Sequence, residues 1–199
     1  FERENIVVFK AVDNSDIFLI KRIIGLSGDT LQIKKTKVFI NSRELEQKQS
    51  YTYNYIYKRM NNISLYQDYS NKEYLNLSNN QRKNYKKYIE EKIGHKYYLF
   101  PTIKQEVWTR DNYGKLIIPK KGMKIELTEE NISIYNASTI KFENIDLSKL
   151  KDSTYTFKNN YFFMMGDNRH NSIDSRSFGF VPDSYIQGKM IKIFSFNDN

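Results

Sequence analysis

One apolar run of this sequence contains a lysine that could act as a base. Within residues 17–24, strand alternation places Lys21 on the same face as Leu19 and Ile23. Aliphatic neighbours remove solvation from an ammonium group, so the pKa of Lys21 should fall from about 10.4. A neutral amine at about pH 7 to 8 can then accept a proton from a hydroxyl group. Alternatively, the lysine stem covers apolar surface and the charged end reaches water.

A second segment, near the C-terminus, has polar or charged residues at nearly every position and could form a hydrogen-bonded network. Two sets of opposite charges, each separated by one residue, could form ion pairs: Asp167 with Arg169, and Asp174 with Arg176. The hydroxyl of Ser172 could offer a hydrogen bond to a neighbouring amine. From these residues alone, an elaborate turn in which Asx side chains bond the backbone is the alternative.

The chain contains no cysteine and two histidines, His95 and His170. The lack of cysteine excludes disulfides, thiolate metal ligands and a cysteine nucleophile, and two histidines do not favour a multi-histidine metal centre. Any catalysis therefore uses hydroxyl, amine or carboxylate groups, and we expect neither a metal nor another cofactor. We predict that His170 is a solvent-facing loop residue rather than a catalytic one.

The elements around these residues are predicted to be mainly β, with a mixed α+β region in the middle of the chain. A length of 199 residues fits about one domain with an elaboration, or two small ones. Runs rich in β-branched and aromatic residues predict strands at 6–9, 17–24, 30–33, 38–40, 161–165 and 189–196. Helices are predicted at about 80–93 and 129–135. We therefore predict a discontinuous β-rich core of residues 1–45 and 155–199, with residues 46–154 as an inserted, variable subdomain.

Charge and hydropathy limit the kinds of partner. Lysine and arginine total 32 against 23 aspartate and glutamate residues, which gives a net charge of +9. This excess could attract nucleic acid or a phospholipid surface. We favour a general compositional bias, since Lys, Asn, Ile and Tyr are enriched together and like charges form no long block.

No apolar run approaches the roughly 18 residues of a spanning helix. The chain opens on Phe1 without a signal-peptide pattern, so we expect a fragment of a longer protein.

Three motifs stand at the two ends of the chain. They are Arg-x-x-Ile-Val-Val-Phe at 3–9, Ile-Lys-Arg-Ile-Ile-Gly-Leu-Ser-Gly-Asp at 20–29, and Gly-Asp-Asn-Arg, Ser-Ile-Asp-Ser-Arg and Gly-Phe-Val-Pro within 166–182. In content and order, this set resembles the type I signal peptidase family. In the middle of the chain, Asp-Asn-Tyr-Gly at 111–114 and Ile-Pro-Lys-Lys-Gly at 118–122 are similar to a stretch found in some long-insert members.

The resemblance implies a β-rich, membrane-anchored serine protease that uses a Ser/Lys dyad to remove signal peptides after small residues. Its partners would be the signal peptides of preproteins and the membrane surface, reached through an N-terminal anchor, and not nucleic acid. The catalytic domain would lie on the extracytoplasmic side of the cytoplasmic membrane. Lys21 matches the general base, and Ser172 matches the serine that orients it. Asp174 and Arg176 match a supporting ion pair. Asp167 and Arg169 match further supporting polar positions of the same motif.

Some positions depart from the family pattern. Glu4 and Asn5 stand where Gly and Asp are usual, Ser27 stands where Pro is common, and His170 stands where Asp is common. The family's nucleophilic serine belongs to a Ser-Met-x-Pro-like motif that would precede Phe1, together with the anchor. Its role is inherited by none of Ser15, Ser27 and Ser172. We therefore expect the chain as given to be inactive.

Other functions fit parts of the pattern. A different Ser/Lys hydrolase, of the self-cleaving repressor class, shares the dyad chemistry but lacks the long motif at 166–182. A non-catalytic basic β domain could bind a polyanion, and it would show an aromatic and basic stripe on one strand face. No such stripe is evident in this sequence. An inactive paralogue that serves as a partner subunit is a further possibility.

Overall fold

The computed structural model describes residues 1–14, 16–57, 65–91, 99–101 and 108–191. These residues form several antiparallel sheets, which confirms the predicted mainly β class. The strands are β1 (Ile6–Lys10), β2 (Phe18–Gly25), β3 (Thr30–Lys34), β4 (Lys37–Ile40), β5 (Arg43–Glu44), β6 (Thr52–Tyr57), β7 (Leu65–Ser70), β8 (Tyr85–Lys87), β9 (Tyr113–Ile117), β10 (Lys124–Glu126), β11 (Thr154–Thr156), β12 (Tyr161–Met165), β13 (Val181–Pro182) and β14 (Ile186–Lys189). The helices are α1 (Asn71–Asn76), α2 (Asn79–Arg82), α3 (Glu129–Glu143) and α4 (Ser175–Phe178), with 3₁₀ turns at Leu147–Lys149 and Asp183–Tyr185.

A five-stranded sheet joins the two ends of the chain in the order β13, β12, β2, β1, β14. All its strand pairs are antiparallel. In β1, Val7 and Phe9 alternate into the core, as a half-buried strand requires. β12 is buried along its whole length, and its last residue, Met165, lies opposite Arg22 of β2. The sheet therefore places the lysine motif beside the polar segment that follows β12.

A four-stranded sheet has the order β5, β4, β3, β9. The β3–β4 hairpin turns at Lys35 and Thr36, whose positive φ values of 47° and 72° match the right-handed twist of the two strands. β9 comes from the region predicted to be inserted and pairs with β3, where the buried side chains of Leu31 and Leu116 lie opposite each other. The division of the chain at residues 45 and 155 stays a prediction.

A three-stranded sheet of β7, β6 and β8, here called the tyrosine sheet, is built around aromatic side chains. Tyr53 and Tyr55 of β6 are buried, and so is Tyr51, which precedes this strand. The ring of Tyr55 stacks on that of Tyr74 in α1, with centroids 4.3 Å apart. The buried core of this sheet therefore consists of tyrosine rings, whereas the larger core clusters mix aliphatic and aromatic side chains.

The prediction of a helix at 80–93 is wrong. α2 ends at Arg82, and the residues of β8 pair with β6 instead of continuing the helix. The ring of Tyr85 packs against Tyr57 of the neighbouring strand, with centroids 5.1 Å apart. This cross-strand pairing of aromatic residues outweighs the helical spacing of the apolar positions. Residues 92 and 93 of the predicted helix lie outside the described residues.

The helix predicted at 129–135 is present, and it continues to Glu143 as α3. Its first turn is capped by the Thr128 side chain, which accepts a hydrogen bond from the N–H of Asn131. It ends at Asn144, whose left-handed backbone with φ of 56° closes the last turn.

β14 lies mostly before the strand predicted at 189–196, the later part of which is outside the described residues.

Gly25 provides a test of the packing between the two larger sheets. A Cβ at this position would overlap Ile118 Cδ1 and lie 3.3 Å from Phe163 Cβ, so Gly25→Ala should lower the free energy of unfolding by about 1–3 kcal/mol. The matched control is Gly188→Ala, because a Cβ at Gly188 would meet nothing within 4 Å. This substitution should change the free energy of unfolding by less than about 1 kcal/mol. Urea unfolding measures both variants, and equal loss of stability would contradict the packing.

Candidate active site

Lys21 lies on β2, the central strand of the five-stranded sheet, and is partly buried. Burial lowers the pKa of Lys21 below its ordinary value. The Asp174 carboxylate opposes this shift, whereas the guanidinium groups of Arg176 and Arg110 reinforce it. The Lys21 amine is therefore easier to deprotonate than that of an exposed lysine, as a general base requires.

Gly166 allows Lys21 and Ser172 to approach the same stretch of backbone. A Cβ at Gly166 would overlap the Ser172 side chain and lie 3.6 Å from Lys21 Cδ. Glycine is therefore needed here for close approach rather than for an unusual backbone angle. Ser172 is buried, and its Oγ has no hydrogen-bond partner within the described part of the chain. This hydroxyl is available to donate to, or accept from, a nearby amine.

Asp174 and Arg176 form the ion pair expected from the sequence. Arg176 Nε donates to Asp174 Oδ1 at 2.9 Å and Nη2 donates to Oδ2 at 2.7 Å, with both side chains fully buried. Asp174 also accepts from the N–H of Gly166, and Arg176 Nη2 donates to the carbonyl of Arg169 at 2.6 Å. Burial would raise the pKa of the Asp174 carboxyl, but the Arg176 guanidinium holds it below its usual range. The pair thus joins three points of the polar segment.

The prediction of an ion pair between Asp167 and Arg169 is wrong. Asp167 instead accepts two hydrogen bonds from Arg22, at 2.9 Å from Nε and 2.7 Å from Nη2. Arg22 lies opposite Met165 in the sheet, so strand register rather than nearness in sequence selects the partner. The guanidinium of Arg169 lies 3.7 Å from the centroid of the Tyr51 ring, a cation–π contact.

The prediction that His170 faces solvent is also wrong. The ring is buried, with 7% of the residue exposed. Its Nδ1 accepts a hydrogen bond of 2.8 Å from the N–H of Asn54, and its Nε2 lies 2.9 and 3.1 Å from the two carboxylate oxygens of Asp111. Because a nitrogen that accepts carries no proton, the ring proton is on Nε2 and is donated to Asp111.

Arg110 and Asp111 are site residues that sequence reasoning missed. The Arg110 guanidinium donates to the carbonyl oxygens of His170 and Ser172. The Asp111 carboxylate accepts from His170 and, at 2.8 Å, from the N–H of Glu90. The available signal was the acidic residue of the Asp-Asn-Tyr-Gly stretch, together with the basic residue before it. Nothing local indicated that these two residues reach the C-terminal segment.

The remaining motif residues have contacts that hold the backbone. Arg3 Nη1 donates to the carbonyl of Ile24 at 2.7 Å and forms an ion pair with Asp29 at 3.0 Å, which joins the first motif to the second. Ser27 Oγ donates to the carbonyl of Tyr161 at 2.7 Å. Ser15 lies outside the described residues. These contacts give Ser27 a structural role in the turn after β2.

Loss of the buried ion pair should destabilise the fold more than loss of the neighbouring hydroxyl. Asp174→Ala leaves the Arg176 guanidinium buried without its carboxylate, so the free energy of unfolding should fall by about 3–5 kcal/mol. Ser172→Ala removes a hydroxyl without a described partner, and the free energy should change by less than about 1 kcal/mol. Urea unfolding of both variants measures the difference. A neutral Asp174→Ala would contradict the role given to the pair.

The burial of Lys21 predicts a pH-dependent gain in stability for Lys21→Met. Since the folded pKa is lowered, the unfolded chain binds more protons between the two pKa values, and stability rises with pH through that window. Lys21→Met should therefore raise the Tm at neutral pH, and the gain should shrink as the pH approaches about 10.4. Thermal unfolding across pH tests this, with exposed Lys115→Met as control. A gain that does not change with pH would refute the proposed desolvation.

A family profile described as "Signal peptidase, peptidase S26" matches residues 1–195. Signal peptidase I from Buchnera aphidicola subsp. Acyrthosiphon pisum is 31% identical over 209 residues, which cover 99% of this chain and 55% of the relative. Signal peptidase I from Buchnera aphidicola subsp. Schizaphis graminum is 29% identical and covers 97% of this chain and 53% of the relative. Signal peptidase I from Aquifex aeolicus is 28% identical, and the match covers 96% of this chain and 62% of the relative.

The chain thus spans between half and two thirds of the length of these relatives. A solved structure of a signal peptidase I from Enterococcus faecalis V583 aligns with 96% of each chain at 19% identity, with a TM-score of 0.44. Across the ranges that the structure describes, no helix is long and apolar enough to cross a bilayer. Because the family profile covers nearly the whole sequence, the chain belongs to the signal peptidase family, peptidase S26.

Proposed function

We propose that this chain is the catalytic domain of a signal peptidase I, a serine endopeptidase that removes signal peptides from secreted preproteins after small residues. The observation that carries the proposal is the partly buried Lys21, whose pKa is lowered and whose side chain approaches the same glycine as Ser172. The Asp174–Arg176 pair supports it by bonding the backbone of Gly166 and of Arg169, in the segment that leads to Ser172. Membership of the family supports the peptidase class.

In the proposed reaction, Lys21 transfers the proton in both halves. The neutral amine takes the proton of a nucleophilic serine as the serine oxygen attacks the scissile carbonyl carbon. The ammonium group gives that proton to the leaving nitrogen as the peptide C–N bond breaks, which leaves an acyl-enzyme. Water then loses a proton to Lys21 as it attacks the ester, and this proton passes to the serine oxygen when the ester bond breaks. The Ser172 hydroxyl accepts a hydrogen bond from the amine and orients its lone pair.

The nucleophilic serine and a membrane anchor are proposed to lie in a segment that precedes Phe1. The greater length of the curated relatives is consistent with such a segment. Of the described serines considered for this role, Ser27 is bonded to a backbone carbonyl and Ser172 is given the supporting role. The anchor would hold the catalytic domain on the extracytoplasmic side of the cytoplasmic membrane. The proposed chemistry uses no cofactor and no nucleic acid.

An open strand edge beside Lys21 supports a peptide substrate. β2 pairs with β1 from Phe18 to Arg22, but it pairs with β12 only from Arg22 to Gly25. Among the described residues, the first half of β2 therefore has one edge without a partner strand, on which an extended peptide could add. The side chains of Phe18 and Ile20 are 55% and 53% exposed there. They offer apolar surface to a signal peptide or to the bilayer.

The proposed dyad predicts that Lys21→Ala abolishes cleavage without unfolding the full-length protein. A peptide with Ala at the two usual recognition positions is the substrate, and kcat/KM should fall by at least about 100-fold because the general base is lost. This chain alone should not cleave the peptide, since the proposed nucleophile lies upstream. Circular dichroism checks the fold of each variant.

The matched control for that assay is Lys115→Ala, which removes an exposed lysine from strand β9 and should leave kcat/KM unchanged. Cleavage by the full-length Lys21→Ala variant at the wild-type rate would remove Lys21 from the mechanism. Cleavage by this chain alone that survives Lys21→Ala would show that another site performs the reaction.

A further inference from the structure

The loop that carries Ser172 is bonded along its length to the tyrosine sheet. The N–H of Thr52 donates to the carbonyl of Asp167 at 2.9 Å, and the N–H of Arg169 donates to the carbonyl of Thr52 at 2.9 Å. Two residues further along β6, the N–H of Asn54 donates to the ring of His170. The first two bonds form a short parallel bridge, and the histidine ring continues it as a side-chain acceptor.

The ring of His170 is buried and is held by hydrogen bonds and by aromatic contacts. Both of its nitrogens are bonded, one to Asn54 and the other to the Asp111 carboxylate. The rings of Tyr53 and Tyr88 approach it edge-on, with centroids 5.7 and 5.6 Å away. A ring held by two directional bonds and two aromatic neighbours has one orientation, and it fixes the backbone to which it is attached.

Arg110, next to Asp111, holds the main chain of the same loop. Its guanidinium donates to the carbonyl oxygens of both His170 and Ser172. It also lowers the pKa of Lys21, so its charge reaches the proposed base. Two consecutive residues therefore act together: one binds the histidine side chain, and the other binds the backbone up to Ser172.

We propose that His170 is a positioning residue for the dyad, because its bonds to Asn54 and Asp111 fix the loop that places Ser172 beside Lys21. The inference rests on the proposed function of that dyad. It makes the tyrosine sheet a part of the catalytic apparatus, since this sheet supplies the Asn54 donor. It also explains how a histidine can replace the aspartate that is common at this position in the family pattern.

Three substitutions in the full-length protein separate the two bonds. His170→Phe keeps the ring and its aromatic contacts but loses both bonds, and kcat should fall about 10- to 100-fold with KM changed less than about twofold. His170→Asn keeps an acceptor for the Asn54 N–H, and His170→Gln keeps a donor for Asp111, so each should recover part of kcat. The control is Ile140→Ala, an exposed change on α3, outside the tyrosine sheet, that should leave kcat unchanged.

The pH profile distinguishes positioning from a merely structural role. A loosened Ser172 loop admits water to Lys21, so the acidic limb of kcat should move to higher pH in His170→Phe, whereas loss of folded enzyme alone would lower kcat without moving the limb. Active-site titration corrects for the amount of folded enzyme. An unchanged limb with kcat within about twofold of wild type would overturn the proposal. If His170→Phe does not fold, full kcat in both His170→Asn and His170→Gln would overturn it equally.

Hydrogen exchange separates failure of this inference from failure of the proposed function. If the wild-type protein does not cleave the peptide, the proposed function fails, and the loop is then judged by its amides alone. In His170→Gln, amides of residues 168–173 should exchange at least about tenfold faster, while those of the β3–β4 hairpin should not change. Unchanged exchange in the loop would overturn the positioning role whether or not the protein is active.

Discussion

The buried ion pair between Asp174 and Arg176 is the interaction on which the arrangement of the site depends. Its two charges lie entirely away from water, so each must be satisfied by the other and by backbone groups. The carboxylate accepts from the N–H of Gly166, and the guanidinium donates to the carbonyl of Arg169. The pair therefore determines the course of the backbone between the end of β12 and the start of α4. A buried pair of this kind is better understood as a device that specifies geometry than as a large source of net stability.

The two charges of the same pair act on the Lys21 amine in opposite directions. The Asp174 carboxylate stabilises the ammonium form, and the Arg176 guanidinium destabilises it. Since these contributions oppose each other, burial and the additional positive charge of Arg110 determine the direction of the shift. The C-terminal segment thus accommodates many charges without restoring the ordinary basicity of the lysine. An amine that is neutral near the working pH is what a Ser/Lys mechanism requires.

The sequence predicted the parts of the structure that depend on local pattern. Strand alternation placed Lys21 among apolar neighbours, runs of β-branched residues predicted the strands at 30–33 and 38–40, and Asp174 and Arg176 are close enough in sequence to be matched by spacing. Contacts between distant residues were not predictable in this way. Asp167 bonds Arg22, 145 positions away, and His170 bonds Asp111 and Asn54 at separations of 59 and 116. Strand β8 of the tyrosine sheet was missed because the spacing of its aromatic residues also fits a helix, and only pairing with β6 decides between the two.

Burial beside the Ser172 loop makes the Lys21 amine less basic than an exposed lysine amine. Its pKa can be measured directly by nuclear magnetic resonance titration of the full-length protein labelled with ¹³C-lysine, with the Lys21 signal assigned by its absence in Lys21→Met. We expect this signal to titrate below the ordinary lysine pKa of about 10.4. Titration of Lys21 at or above that value would contradict the proposed desolvation.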